Sequence, residues 1–132
     1  MSDSSNDQAP RYEAAYGGAV EALSVAQAAA RAADSKKAQD IVVLDVTELS
    51  DMSDYLVICT TASNPQTQAV LEEVKDQVSA QLSEKPFSIE GRESGHWILL
   101  DYGAVIVHIF QQDLRDYYRL EKLWGDAPQV QF

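Results

Sequence analysis

Basic residues are scarce in this chain. Ten Lys and Arg stand against twenty-one Asp and Glu, a formal net charge of −11 at pH 7. A nucleic-acid site needs clustered cations to displace counterions from phosphate, so direct nucleic-acid recognition is excluded as a main role. The same repulsion opposes an anionic membrane surface. Acidity of this degree either keeps a domain soluble or favours encounter with a basic protein. Cysteine is nearly absent as well: Cys59 stands alone in an apolar run. No disulfide can form within the chain, which fits a reducing compartment. No apolar stretch approaches the roughly 20 residues that span a bilayer. The polar start MSDSSNDQAP has neither a secretory signal pattern nor the Arg-rich look of a transit peptide. The expected location is cytoplasmic.

What is there is enough for one domain around one core, at 132 residues and 45% hydrophobic. Residues 1–18 read as a disordered, acidic tail, 19–124 as the domain, and 125–132 as a C-terminal tail. Val20, Leu23, Ala26, Ala30 and Ala33 fall at helical spacing in an Ala-rich segment beginning near Ala19. The runs from Asp40 to Val46 and from Tyr55 to Thr60 read as strands buried on both faces. Ser63 stands three residues before Gln66, the spacing of a capping box, with Pro65 in the first turn of a helix reaching about Ser83. Phe87 to Glu90 reads as a short edge strand after Pro86. Trp97–Leu100 and Ala104–Phe110 read as a hairpin around an Asp-Tyr-Gly turn, and a C-terminal helix follows. The connection through the Ser63 helix is long enough for a crossover between strands. The order predicts a mixed α/β (α+β) architecture, a sheet covered by helices.

Residue types that carry chemistry do not assemble into a recognised pattern. Cys59, His96 and His108 have no metal-ligand spacing, and His108 alternates with Ile106 and Phe110 as a strand histidine does. A Cys59–His108 triad is opposed by the apolar neighbours of Cys59. Asp45, Asp54 and Asp101 at strand ends leave open a metal-dependent nucleotidyltransferase or phosphohydrolase, but no phosphate cradle accompanies them. The expectation is therefore no catalytic residues, no metal and no cofactor. The aromatic residues of Trp97–Trp124 remain. Leu120, Leu123 and Trp124 read as core. Trp97 and Tyr102 read as exposed anchors of a protein interface, since Trp and Tyr dominate such hot spots. Tyr117 and Tyr118 are adjacent on a helix, about 100° apart, so one faces outward.

The chain resembles the Iojap family, the ribosomal silencing factors. The resemblance rests on the order and spacing of Asp40–Val46, Ser53–Cys59, Glu90-Gly91, Trp97–Gly103, Val105–His108, and Arg115–Tyr118 leading into Leu120–Trp124. It implies a mixed sheet of about five strands flanked by helices, similar to a nucleotidyltransferase core without its chemistry. It also implies binding to the large ribosomal subunit through a basic protein, the universal ribosomal protein fourteen. Occupying that face would block joining of the small subunit and repress translation. Organelle relatives act in large-subunit assembly, the alternative role. On this reading Glu90, Trp97, Asp101, Tyr102, Tyr117, Tyr118 and Glu121 are the partner-binding residues, and the free protein could form a homodimer. The chain departs from the family pattern at Thr61, Pro65 and Ala104, which alter a strand-to-helix turn and remove a charge near the hairpin.

Overall fold

The computed structural model describes residues 21–132, apart from the side chains of Tyr117, Tyr118 and Glu121. The expectations for residues 1–18, and for Ala19 and Val20 at the start of the domain and its first helix, lie outside the described residues. The described elements are α1 (Ala22–Ser35), β1 (Gln39–Asp45), β2 (Tyr55–Thr61), α2 (Asn64–Leu82), β3 (Ser88–Glu90), β4 (Trp97–Asp101), β5 (Val105–Gln111), α3 (Gln112–Tyr118) and α4 (Leu120–Leu123). The sheet has the order β1-β2-β5-β4-β3. β2 and β5 pair in parallel at its centre, and the other pairings are antiparallel. The predicted mixed five-stranded sheet with flanking helices is the fold observed.

Each boundary has a local cause. The Ser63 side chain accepts a hydrogen bond from the Gln66 amide at 3.2 Å, and Pro65 occupies the first turn of α2. The Gln66 side chain reaches back to the Ala62 amide at 2.7 Å, one residue earlier than a standard capping box. Thr61 ends β2 with its hydroxyl bonded to that of Thr67 at 2.6 Å, fixing the turn into α2. Ser83 closes α2 in the left-handed conformation. Between β4 and β5, the Asp101 carboxylate accepts from the Gly103 amide at 2.7 Å while Gly103 takes a φ of 86°. Glycine carries that φ without steric cost.

α1 and α2 cover one face of the sheet. The main core lies there, from Val57, Cys59, Leu100, Val105 and Val107 on the strands and Val70, Leu71, Val74 and Val78 on α2. α1 buries Val25, Ala26, Ala28, Ala29, Ala30, Ala32 and Ala33, a wider face than the predicted stripe, while Leu23 is half-buried. Methyl side chains let α1 lie close to both α2 and the sheet, so most of its circumference meets protein.

Three expectations are corrected. Leu123, expected in the core with Leu120 and Trp124, is 73% exposed on α4. Tyr102 is 2% exposed and belongs to the main core. Alternation carries it to the helix side with Ile98 and Leu100, whereas Trp97, Leu99 and Asp101 point the other way. The segment after Trp124 is not a free tail. It lies along the outer edge of β1: Asp45 N–H donates to Pro128 O at 2.9 Å and Val130 N–H to Val43 O at 2.8 Å. Gln129 bridges Leu44, and Gln27 Nε2 ties Gln131 O to α1 at 2.9 Å. Backbone groups on an edge strand seek partners, and this segment supplies them.

The buried Tyr102 hydroxyl has no hydrogen-bond partner among the described residues. Burial, with Glu84 nearby, pushes its ionisation well above that of an ordinary tyrosine. A buried unsatisfied hydroxyl costs about 1–3 kcal/mol. Tyr102→Phe keeps the ring and removes the hydroxyl, so it should raise the urea-unfolding free energy by about 1 kcal/mol. A loss of similar size would show that the hydroxyl is satisfied in solution.

Candidate functional site

Among the described residues, the face of the sheet opposite α1 and α2 is only partly covered. Over β1 and β2, Leu114, Leu120, Trp124 and Ala127 pack against Leu44, Val46, Leu56, Ile58 and Phe110. α3 is held down there by Arg115, which is 7% exposed. Its Nη1 donates to Asp40 O at 2.8 Å and to Thr60 Oγ1 at 2.7 Å. Asp40 stands at an irregularity in β1 with a φ of 50°. One buried cation thus ties α3 to the two strands beneath it, with its charge met by hydrogen-bonding oxygens.

Over β3, β4 and the first half of β5, the same face carries a compact patch. The register sets Glu90 opposite Leu99 and Leu99 opposite His108. Ser88 lies opposite Asp101 and Asp101 opposite Ile106, while Trp97 lies opposite Phe110. Directly opposed side chains share a face. Glu90 is exposed, and Trp97, Leu99, Asp101 and Ile106 are half-buried. Of the residues expected to meet a partner, the structure thus brings Glu90, Trp97 and Asp101 onto one surface and leaves Tyr102 behind it. Tyr117 sits on α3 and Glu121 on α4, with Tyr118 closing α3; the expectations for these three side chains lie outside the described residues. Leu99 and Ile106 were missed as members of the surface, and His108 as the buried ring beneath it. Strand alternation combined with the β4–β5 register is the signal that finds them.

Trp97 is fixed rather than free to turn. Its ring stacks on Phe110 with centroids 4.9 Å apart, and its Nε1–H donates to His108 Nδ1 at 3.1 Å. That bond requires an unprotonated Nδ1. Burial lowers the His108 pKa from 6.5 to about 4, so the neutral ring is the stable form at neutral pH. Gly91 sets the approach of β3 to β4: a Cβ there would stand 1.9 Å from the Trp97 carbonyl oxygen, and its φ is 85°. The chain after Glu90 can pass this close to the Trp97 backbone because residue 91 has no side chain.

The chemistry-bearing residues are elsewhere engaged. Cys59 is fully buried in the helix-side core, and burial pushes its thiol up to about 12 against a weaker opposing pull from Arg115. Such a thiol is a poor nucleophile. Asp45 accepts from the Thr47 hydroxyl at 2.6 Å and the Thr47 amide at 3.0 Å, which hold its carboxyl below the usual range. Among the described residues no three His, Cys, Asp or Glu side chains are grouped to hold a metal ion. No described helix is long and apolar enough to cross a membrane.

Comparisons with known proteins agree with one another. The family described as "Ribosomal silencing factor during starvation" matches residues 19–132. The chain is similar to Ribosomal silencing factor RsfS of Bacillus subtilis (strain 168), at 45% identity over 105 residues, covering 80% of this chain and 88% of that protein. It is also similar to the chloroplastic protein Iojap of Zea mays, at 37% identity over 114 residues, covering 84% of this chain and 48% of that protein. In three dimensions it resembles a crystal structure from Chromobacterium violaceum, with a TM-score of 0.76 at 32% identity, covering 86% of this chain and 92% of that one.

Burial of the neutral His108 ring makes stability depend on pH in a defined window. The folded His108 pKa lies below the unfolded value, so the unfolded chain takes up a proton that the folded chain refuses. The stabilisation is complete above about pH 6.5 and is lost as pH falls towards about 4. His108→Gln keeps an acceptor for the indole but does not titrate. Between pH 6.5 and 5 the unfolding free energy of the parent should fall more steeply than that of His108→Gln, by up to about 1.4 kcal/mol per pH unit. Parallel slopes would show that His108 titrates normally.

Proposed function

The chain belongs to the ribosomal silencing factor family, and from that membership we propose that it binds the large ribosomal subunit through the universal ribosomal protein fourteen, at the face where the small subunit docks. Occupation of that face excludes the small subunit and represses translation in the cytoplasm. The observation that supports this reading is the uncovered patch on β3, β4 and β5. It sets an anchored Trp97 and the half-buried Leu99 and Ile106 beside the carboxylates of Glu90 and Asp101. An apolar centre with an acidic border suits a basic ribosomal protein, because desolvated aromatic and aliphatic groups supply affinity while the charges select the partner. A standard interface buries about 800 Å² on each side, so simple exclusion is sufficient and no reaction is required.

Purified protein should co-sediment with isolated large subunits and prevent their joining to small subunits in sucrose gradients. Binding without inhibition of joining would refute the steric mechanism. Trp97→Ala should weaken subunit binding by about 2 kcal/mol or more if the indole is a hot spot. Because Trp97 also stacks on Phe110, a second variant is needed. Glu90 is exposed, so changing it is expected to leave the fold intact. Glu90→Lys should weaken binding about tenfold, or roughly 1.4 kcal/mol, whereas Tyr102→Phe should bind as the parent does. Equal binding by Glu90→Lys would move the interface off this face.

A further inference from the structure

A second surface lies at the opposite end of the strands from Trp97. There the loop before β2, the residue before β3 and the β4–β5 turn enclose a shallow groove of about 460 Å³, lined by Asp51, Met52, Asp54, Phe87, Gly103 and Ala104 as well as the edge of Tyr102. Met52 is 88% exposed and Phe87 79% exposed. Large apolar side chains left this open and side by side mark interaction sites more often than ordinary surface.

The groove is held in shape by the backbone. Asp54 N–H donates to Ala104 O at 2.7 Å, and Val46 N–H to Asp54 O at 2.8 Å. Phe87 N–H donates to Asp101 O at 2.7 Å. The Phe87 ring lies against Gly103, where an added Cβ would come within 2.9 Å of it. The backbone that shapes the groove is therefore set before any ligand arrives, which lowers the entropy cost of binding. The border is acidic, with Asp51 exposed and Asp54 half-buried, and no Lys or Arg lines the groove.

We propose that this groove is a separate docking site for a basic protein segment that inserts one aromatic or branched aliphatic side chain between Met52 and Phe87, with Lys or Arg on either side meeting Asp51 and Asp54. The volume admits one large side chain with its flanking backbone. Charge complementarity selects this occupant over a second copy of the chain, whose net charge of −11 would oppose entry into an acidic border.

The site is testable without ribosomes, so its failure is distinguishable from failure of the sheet-face reading. The probe is a capped five-residue peptide with phenylalanine flanked on each side by two lysines, titrated into the ¹⁵N-labelled protein. Amide resonances of Met52, Asp54, Phe87, Gly103 and Ala104 should shift together and saturate at submillimolar peptide. A peptide with alanine at the centre should bind at least tenfold more weakly, and one with glutamate flanks should not bind. Phe87→Ser and Met52→Ser, both at exposed positions, should each weaken binding about tenfold with the remaining spectrum unchanged. Asp51→Asn combined with Asp54→Asn should flatten the salt dependence. The proposal is overturned if these amides do not move at millimolar peptide, if the alanine peptide binds equally well, or if the same amides shift on protein dilution alone. The last result would make a second copy the occupant.

Discussion

The parallel pairing of β2 with β5 governs this molecule. Seven residues of β2 lie in register with seven of β5, from Tyr55 beside Val105 to Thr61 beside Gln111. Two parallel neighbours cannot be joined by a tight turn. The chain between them must travel back over the sheet, and it does so as α2, a helix of 19 residues. Once α2 lies on one face, α1 joins it there, and the apolar sides of β2, β4 and β5 have a cover. Among the described residues, the opposite face receives only the segment after β5 with its short helices, which reaches across β1 and β2. The uncovered patch on β3, β4 and β5 follows from this asymmetry.

The patch is kept in order by polar contacts that serve apolar packing. Arg115 fastens α3 over β1 and β2, which bounds the patch on one side. His108 stays neutral and receives the indole N–H of Trp97, so the largest ring on the surface has a fixed orientation. Under the proposed steric role such rigidity would help, because side chains already ordered lose little freedom on binding. Family membership and this geometry point in the same direction.

Much of this was legible in the sequence. The Ser63–Gln66 spacing and Pro65 located the start of α2, because capping is a local event written within four residues. The strands were visible as apolar runs, and their order with the long crossover pointed to the mixed sheet, to which the family resemblance added a count of about five strands. Glu90, Trp97 and Asp101, named together from the sequence, lie on one face of the sheet. Tyr102 was misplaced because its neighbourhood to an Asp-Gly turn suggested exposure, while the alternation Trp97, Leu99, Asp101 against Ile98, Leu100, Tyr102 carries the correct answer. The docking of residues 128–130 on β1 was illegible for a different reason. It is made by backbone atoms far apart in the chain, and backbone pairing leaves no mark on side-chain identity.

That docked segment has a consequence for how copies of the molecule can meet. A sheet ordinarily has two open edges where a foreign strand can add. Here Pro128 and Val130 already occupy the outer side of β1, and the other edge, β3, is three residues long. A strand from elsewhere finds almost nothing to extend. Crowded or partly concentrated protein is thereby guarded against growing into continuous sheets, and contacts between molecules are directed to side chains on faces and grooves, where sequence can discriminate between partners.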